Sequence, residues 1–407
     1  MSYFKIIAIP AIITLAIILP FAAPNAETKK KLDPELQQKV KDAVERGTKA
    51  LLGLIDALPD YSFELKDHNG IKHAMRYDEI VLYTLTHCGV LQDERFNTLL
   101  QRVLENPLDR TYHVVLQAMA LEAIDKETYE AKIADCAQYL VDTQCSNGQW
   151  SYGLERPSEN WKKVRYGKAV VTGPDNKDPK PPPKDVRIIP GSGTKSVKLG
   201  NYKATQGKKL GGPTGDNSNT QYAILGLRAC KETQVYIPDD LWKSSKKWFE
   251  STQDSEGGWG YSPNGETSNS PSYGSMTAGG MGSLYITKFY LGEFKELKSA
   301  QEDKFIKRAM GWVVKNYSMT LNPKTDRQDY YYYYLYAMER AGVFAGIEKF
   351  GGNDWYVDGC NEIVKRQEAD GMWYAKNQSS VNDSCFALLF LKMATKPLKT
   401  VITGAGK

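Results

Sequence analysis

The chain has 407 residues, 41% hydrophobic and 25% charged, with a formal charge of +5. This is an ordinary globular balance, long enough to bury a large core as one domain or two. The charge is concentrated: residues 155–216 carry 14 Lys/Arg against 6 Asp/Glu, a local +8, which leaves −3 for the remainder (5 − 8), so nucleic-acid binding is excluded as a default for the body.

Residues 1–26 read as an export signal. Lys5 precedes an almost wholly apolar run, Ile6 to Phe21, and small residues follow at Ala22, Ala23 and Ala26. An uncleaved membrane anchor is the rival reading, because the run is long and Pro24 is awkward for cleavage after Ala26. The expected location is therefore periplasmic or secreted, with membrane contact through the N-terminus alone.

Beyond it, residues 32–395 alternate two kinds of helix. Amphipathic patterns fall near 35–57, 93–106, 130–144, 239–253, 301–316 and 354–367. Ile133, Cys136, Ala137, Leu140 and Val141, for example, share one helical face. Segments apolar nearly all round fall between them, near 76–88, 110–124, 218–230, 273–289, 328–342 and 382–394. A helix apolar on every side is enclosed on every side. Six such pairs predict an all-α fold, a single (α/α)6 toroid of six hairpins with an outer ring half in water and an inner ring enclosed. A basic Pro/Gly-rich insert, 154–216, interrupts the third hairpin. It includes Pro181-Pro182-Pro183 and is read as a solvated loop, a lid or a site for an anionic partner. Residues 396–407 form a tail.

Three outer helices end in one signature: Gln, then Gly four residues on, then Trp six residues on. The sets are Gln144, Gly148, Trp150; Gln253, Gly257, Trp259; and Gln367, Gly371, Trp373. The Gly supplies a left-handed turn that ends the helix. The Trp folds back as an apolar plug, and the Gln bonds freed backbone groups. The fifth pair carries a worn copy, with Asn316 where Gln would stand.

These triples resemble the QW motifs of squalene and oxidosqualene cyclases and the related repeats of protein prenyltransferase β subunits, over residues 35–395 apart from the insert. The resemblance implies an (α/α)6 barrel in which Gln144, Trp150, Gln253, Trp259, Gln367 and Trp373 are structural. It further implies either an acid that protonates an isoprenoid alkene or a zinc site. The Asp-rich DxDD motif of the squalene-hopene type is missing. Asp383-Ser384-Cys385 matches the prenyltransferase Asp-x-Cys pair, with His73 as a possible third ligand for zinc. The bland reading is that Asp383 caps its helix and Cys385 packs in the core. No cofactor is otherwise implied.

Acids stand at the starts of the inner helices: Asp78, Asp109, Asp216, Asp329 and Asp383. They are candidate cavity acids, and also ordinary cap residues. Three functions stay open. One is a toroid that binds a hydrophobic small molecule or partner in its cavity or mouth. The second is a terpenoid cyclase or prenyltransferase-like enzyme, which requires a deep apolar cavity with one desolvated Asp. The third is a glycan-active toroid with an acidic, Tyr-lined groove.

Overall fold

The computed structural model describes residues 32–61, 63–66, 72–153, 202–205, 209–262, 271–294, 300–325, 329–376 and 378–398. The N-terminal segment 1–26, most of the basic insert (154–201 and 206–208) and residues 399–407 lie outside them.

Among the described residues twelve α-helices alternate as outer and inner members. The outer ones are α1 (Pro34–Leu54), α3 (Glu94–Glu105), α5 (Glu130–Thr143), α7 (Asp239–Thr252), α9 (Lys304–Lys315) and α11 (Trp355–Lys365). The inner ones are α2 (Asp78–Cys88), α4 (Thr111–Asp125), α6 (Asn217–Glu232), α8 (Gly274–Tyr290), α10 (Tyr331–Ala345) and α12 (Ser380–Leu391). Each inner helix packs on the next, and α12 packs back on α2, so the inner ring closes. All twelve fall within a few residues of the spans expected from the apolar pattern. The pattern did not reveal a 3-10 turn, Ile55–Tyr61, or an antiparallel hairpin of β1 (Phe63–Lys66) and β2 (Lys72–Met75).

Helix starts follow capping chemistry. Asp33, Asp93, Asp303 and Asp354 accept backbone N–H bonds at the starts of α1, α3, α9 and α11. Outer helices bury one stripe, as α1 does with Leu36, Val40, Ala43, Gly47 and Leu51. Inner helices bury every side: in α8, each residue from Gly274 to Lys288 is buried.

The Gln–Gly–Trp signature is a clasp between neighbouring outer helices. Gln144 Nε2 donates to Gly148 O (3.2 Å) and to Leu241 O (3.1 Å) of α7. Gln253 Nε2 donates to Gly257 O (2.9 Å) and to Phe305 O (2.8 Å) of α9. Gln367 Nε2 donates to Gly371 O (2.8 Å) and to Ala43 O (2.9 Å) of α1, which closes the outer ring. The glycines have φ of +92°, +97° and +85°, and a Cβ on Gly148 or Gly257 would collide with a carbonyl of the next outer helix.

The tryptophans join outer to inner ring. Trp150, Trp259 and Trp373 are fully buried, and each indole N–H donates to the carbonyl ten residues earlier: Leu140 (2.8 Å), Phe249 (2.9 Å) and Ile363 (2.8 Å). Each tryptophan backbone N–H donates to a hydroxyl in the first turns of the next inner helix: Thr220, Thr277 and Ser384. At the worn fifth copy, Asn316 Nδ2 turns back to Trp312 O of its own helix (2.9 Å).

Gln253→Ala should therefore cost about 1–3 kcal/mol, because two carbonyls lose their donor. Trp259→Ala should cost about 3–5 kcal/mol. Asn316→Ala, which bridges nothing, should cost under about 1 kcal/mol. Urea unfolding of the three variants checks the order.

Candidate active site

All six inner helices run the same way, so their N-termini share one mouth. First turns meet there: the Tyr112 hydroxyl of α4 bonds Ser218 Oγ of α6 (2.6 Å), which bonds the Tyr333 hydroxyl of α10 (2.6 Å).

Asp216 lies at this mouth as the N-cap of α6. Its Oδ1 accepts from Asn219 N (2.7 Å) and its Oδ2 from Asn219 Nδ2 (2.8 Å). The residue is 2% exposed. Burial raises its carboxyl to about 6, against the opposing pull of Asn219 and the Tyr261 hydroxyl. Tyrosines surround it. The phenols of Tyr112, Tyr152, Tyr261 and Tyr273 are all raised, first by burial and further by the Asp216 charge. The Tyr261 and Tyr152 hydroxyls lie 3.0 Å apart, and both residues are half-buried. A hydrogen-bonded path therefore runs from Asp216 through Tyr261 to Tyr152. Tyr330 stands at the rim, 47% exposed, in a left-handed conformation (φ +53°) that strains a residue with a side chain.

The other acids have different roles. Asp109 precedes α4 and bonds Arg76 Nη1 through Oδ1 (3.2 Å) and Oδ2 (3.1 Å), and His113 Nδ1 through Oδ1 (3.0 Å). Burial alone would raise its carboxyl, but the His113 bond and Arg76 hold it down at about 2. It is an ionised anchor for the segment after β2. Asp78 pairs with Arg102 (2.9 Å). Asp329, at the rim, is 3.8 Å from Lys376 Nζ.

Asp383 lies in the first turn of α12 but does not cap it; Ser379 does, accepting from Asn382 N (3.3 Å). The expectation of an Asp383 cap is corrected accordingly. Asp383 Oδ2 accepts from Ala375 N (2.7 Å), and Oδ1 is buried with no hydrogen-bond partner. Burial raises the carboxyl to about 7.

Asp383 and Cys385 lie two residues apart in the first turns of α12, and burial raises the Cys385 thiol to about 12. Among the described residues no three His, Cys, Asp or Glu side chains gather to hold a metal ion. The side chain of His73 lies outside the described residues.

Below the mouth, among the described residues, side chains of the inner helices meet at mid-height and leave no deep apolar cavity. Gln221 Nε2 of α6 donates to the Tyr333 hydroxyl (2.6 Å), and Arg340 Nη2 of α10 donates to Gln221 Oε1 (3.1 Å). Tyr222 stacks with Tyr333 (5.9 Å). Phe386 of α12 meets Tyr333 and Tyr336, and the Tyr336 hydroxyl lies 3.3 Å from that of Tyr83 of α2. Of the run Tyr330–Tyr334, Tyr331 and Tyr334 bond the carbonyls of Met319 and Ser318 and are packing. Tyr333 belongs to the lumen. This floor has a signal in the sequence: Gln221, Arg228, Glu339 and Arg340 are polar residues inside otherwise apolar helices.

Solved structures share this architecture. The type II terpene cyclase MstE from Scytonema, as an aspartate variant holding its product merosterolic acid A, matches with TM-score 0.51 and 10% identity over 89% of this chain and 99% of that one. A tyrosine variant without ligand matches at TM-score 0.50, 10% identity, 89% and 99%. An arginine variant with its substrate geranylgeranyl dihydroxybenzoate matches at TM-score 0.50, 9% identity, 88% and 98%. The chain has the fold of the type II terpene cyclases. At this identity the likeness is one of fold, which agrees with the toroid implied by the QW-like triples. No protein-family model and no curated protein matches the chain.

Asp109 gives a pH test. Its carboxyl is depressed from 3.8 to about 2, so its contribution is fully present above pH ~4 and is lost as pH falls through ~2. Asp109→Asn should cost about 2 kcal/mol at pH 7 and little near pH 2. Unfolding curves across that range check it.

Proposed function

We propose that this toroid is an acid-dependent enzyme of the terpenoid-cyclase kind, working at its mouth on an isoprenoid-bearing molecule. The observation that carries the reading is Asp216. A buried carboxyl at the mouth, raised by desolvation to about 6, carries a proton at mildly acidic pH, well above the ordinary carboxylate range. Tyrosine faces around it suit a developing carbocation. In the proposed step the carboxyl proton goes to an alkene carbon. The alkene π pair forms the new C–H bond, and the positive charge is left on the neighbouring carbon. A later C–H proton loss ends the reaction, and the Tyr152–Tyr261 path returns a proton from solvent to Asp216. MstE, the similarly folded protein, binds a geranylgeranyl substrate, which supports a hydrophobic ligand here.

The lumen, filled by side chains among the described residues, departs from the deep apolar cavity expected of such an enzyme and confines any substrate to the mouth. Gln221 lies five residues after Asp216, about 7–8 Å deeper at the helical rise. Only a short isoprenoid, or one end of a longer one, fits above that floor. The same floor favours a second reading, a ring that holds a prenyl chain at its mouth without turnover. The proposal also places the ring outside the cytoplasm, on the apolar run Ile6 to Phe21 alone.

Purified protein incubated with prenylated aromatic acids and linear polyprenes should yield isomers of unchanged mass, resolved by chromatography and mass spectrometry. Asp216→Asn should lower the rate by about 10²–10⁴. The wild-type rate should fall about tenfold per pH unit above 6, as the acid loses its proton. Wild-type turnover by the folded Asp216→Asn protein would overturn the assignment. Prenyl binding without any product would establish the second reading instead.

A further inference from the structure

We propose that the ring holds a small anion in its interior beside Arg340, a halide or one oxygen of a carboxylate, at a site separate from the acid at the mouth. Arg340 is 3% exposed, and its Nη2 donates to the neutral amide oxygen of Gln221 (3.1 Å). Its Nη1 is buried with no hydrogen-bond partner. The guanidinium lies over the rings of Tyr336 (4.2 Å) and Tyr222 (5.2 Å), and the Tyr222 hydroxyl is also without a hydrogen-bond partner.

The carboxylate next in sequence, Glu339, feels both Arg340 and Arg228 but directs its hydrogen bonds elsewhere. Glu339 faces Thr395, accepting from its backbone N (3.0 Å) and its hydroxyl (2.5 Å). A second guanidinium compounds the imbalance. Arg228, seven residues beyond Gln221 on α6, is 5% exposed, lies 5.9 Å from the Phe344 ring, and has a buried, unpartnered Nε. Neither arginine has an ion pair among the described residues. Two buried cations therefore face one carboxylate, itself engaged elsewhere. A buried charge is costly unless it is paired, and aromatic faces supply only part of a counter-charge.

Space is present where the charge needs it. A cavity beside Arg340 is bounded by Gln221, Leu225, Gly279, Gly282 and Phe344, with about 10 Å³ free, room for one water-sized particle. The glycines shape it. A Cβ on Gly279 would collide with the Gln221 amide that holds Arg340, whereas a Cβ on Gly282 would meet only Phe344, at 3.6 Å. A single halide or carboxylate oxygen matches that volume and provides the missing negative charge, which a water cannot.

Crystals of the full chain soaked in sodium bromide should give an anomalous peak between Arg340 and Phe344. Thermal unfolding in chloride or bromide should be about 2–4 °C above that in gluconate of equal ionic strength. Formate matching the halides would assign the site to carboxylates as well; halides alone would restrict it to monatomic ions. Arg340→Met should remove the salt preference, and Arg340→Lys, which keeps the charge, should weaken it several-fold if the methionine variant fails to fold. No bromide peak, together with equal unfolding temperatures of the wild type in all these salts, would overturn the proposal.

Discussion

Every outer helix must end, and its last carbonyls must find donors without opening the ring to water. The glutamine clasp meets that constraint, and the closure of the toroid depends on it. One side-chain amide bonds the turn that ends its own helix and the backbone of the next outer helix. A buried tryptophan a few residues later ties the same turn to its own outer helix through the indole and to an inner helix through its backbone N–H. Three equal joints set three spacings, and a closed ring transmits any misfit in one to the others. The Gln367–Ala43 joint shows this most directly, because it links residues 324 positions apart. The loop-closure entropy of the whole ring is offset there by contacts that the short-range joints have already positioned.

Parallel inner helices also give the lumen an electrical direction. Six positive helix ends converge on the mouth. They favour carboxylates, and Asp78, Asp216 and Asp383 all lie there. Burial works against them, which is why Asp216 rests at about 6 and not at an ordinary carboxylate value. Asp109, only half-buried, shows the opposite resolution. It has Arg76 and His113 and stays ionised. The difference between a poised acid and an anchor is thus burial and the presence of a cation, not the residue type or its position at a helix start.

This explains what was legible beforehand. Periodicity separated one-faced from all-faced helices, so the ring, its twelve helices and the structural role of Gln253 or Trp373 could be read from local pattern. The list of mouth acids could be read too, because Asp at a helix start is a local feature. Which acid is desolvated could not, since that depends on Tyr261 and Arg76 arriving from elsewhere in the ring. The floor was equally hidden. Gln221 and Arg340 look like isolated polar exceptions until α6 and α10 face each other across the axis.

The floor is the feature that makes this toroid unlike an open-centred one. Tyrosine hydroxyls and a glutamine amide satisfy one another across the axis, so the polar groups there are mostly paired. The guanidinium of Arg340 is the exception, and it sits too deep for the helix ends at either mouth to stabilise it, because that field fades within a turn. A buried floor of neutral groups would seal the ring equally well. Arginine at this position therefore has a consequence that sealing does not require: it puts a positive charge in the interior below the mouth, and in the function proposed above the mouth acid Asp216 depends on keeping its proton. A cation below Asp216 favours its ionised form, whereas an anion seated on Arg340 cancels that pull. Occupancy of the interior would then raise the Asp216 carboxyl further, which couples the two levels of the lumen through charge alone, with no movement of the helices.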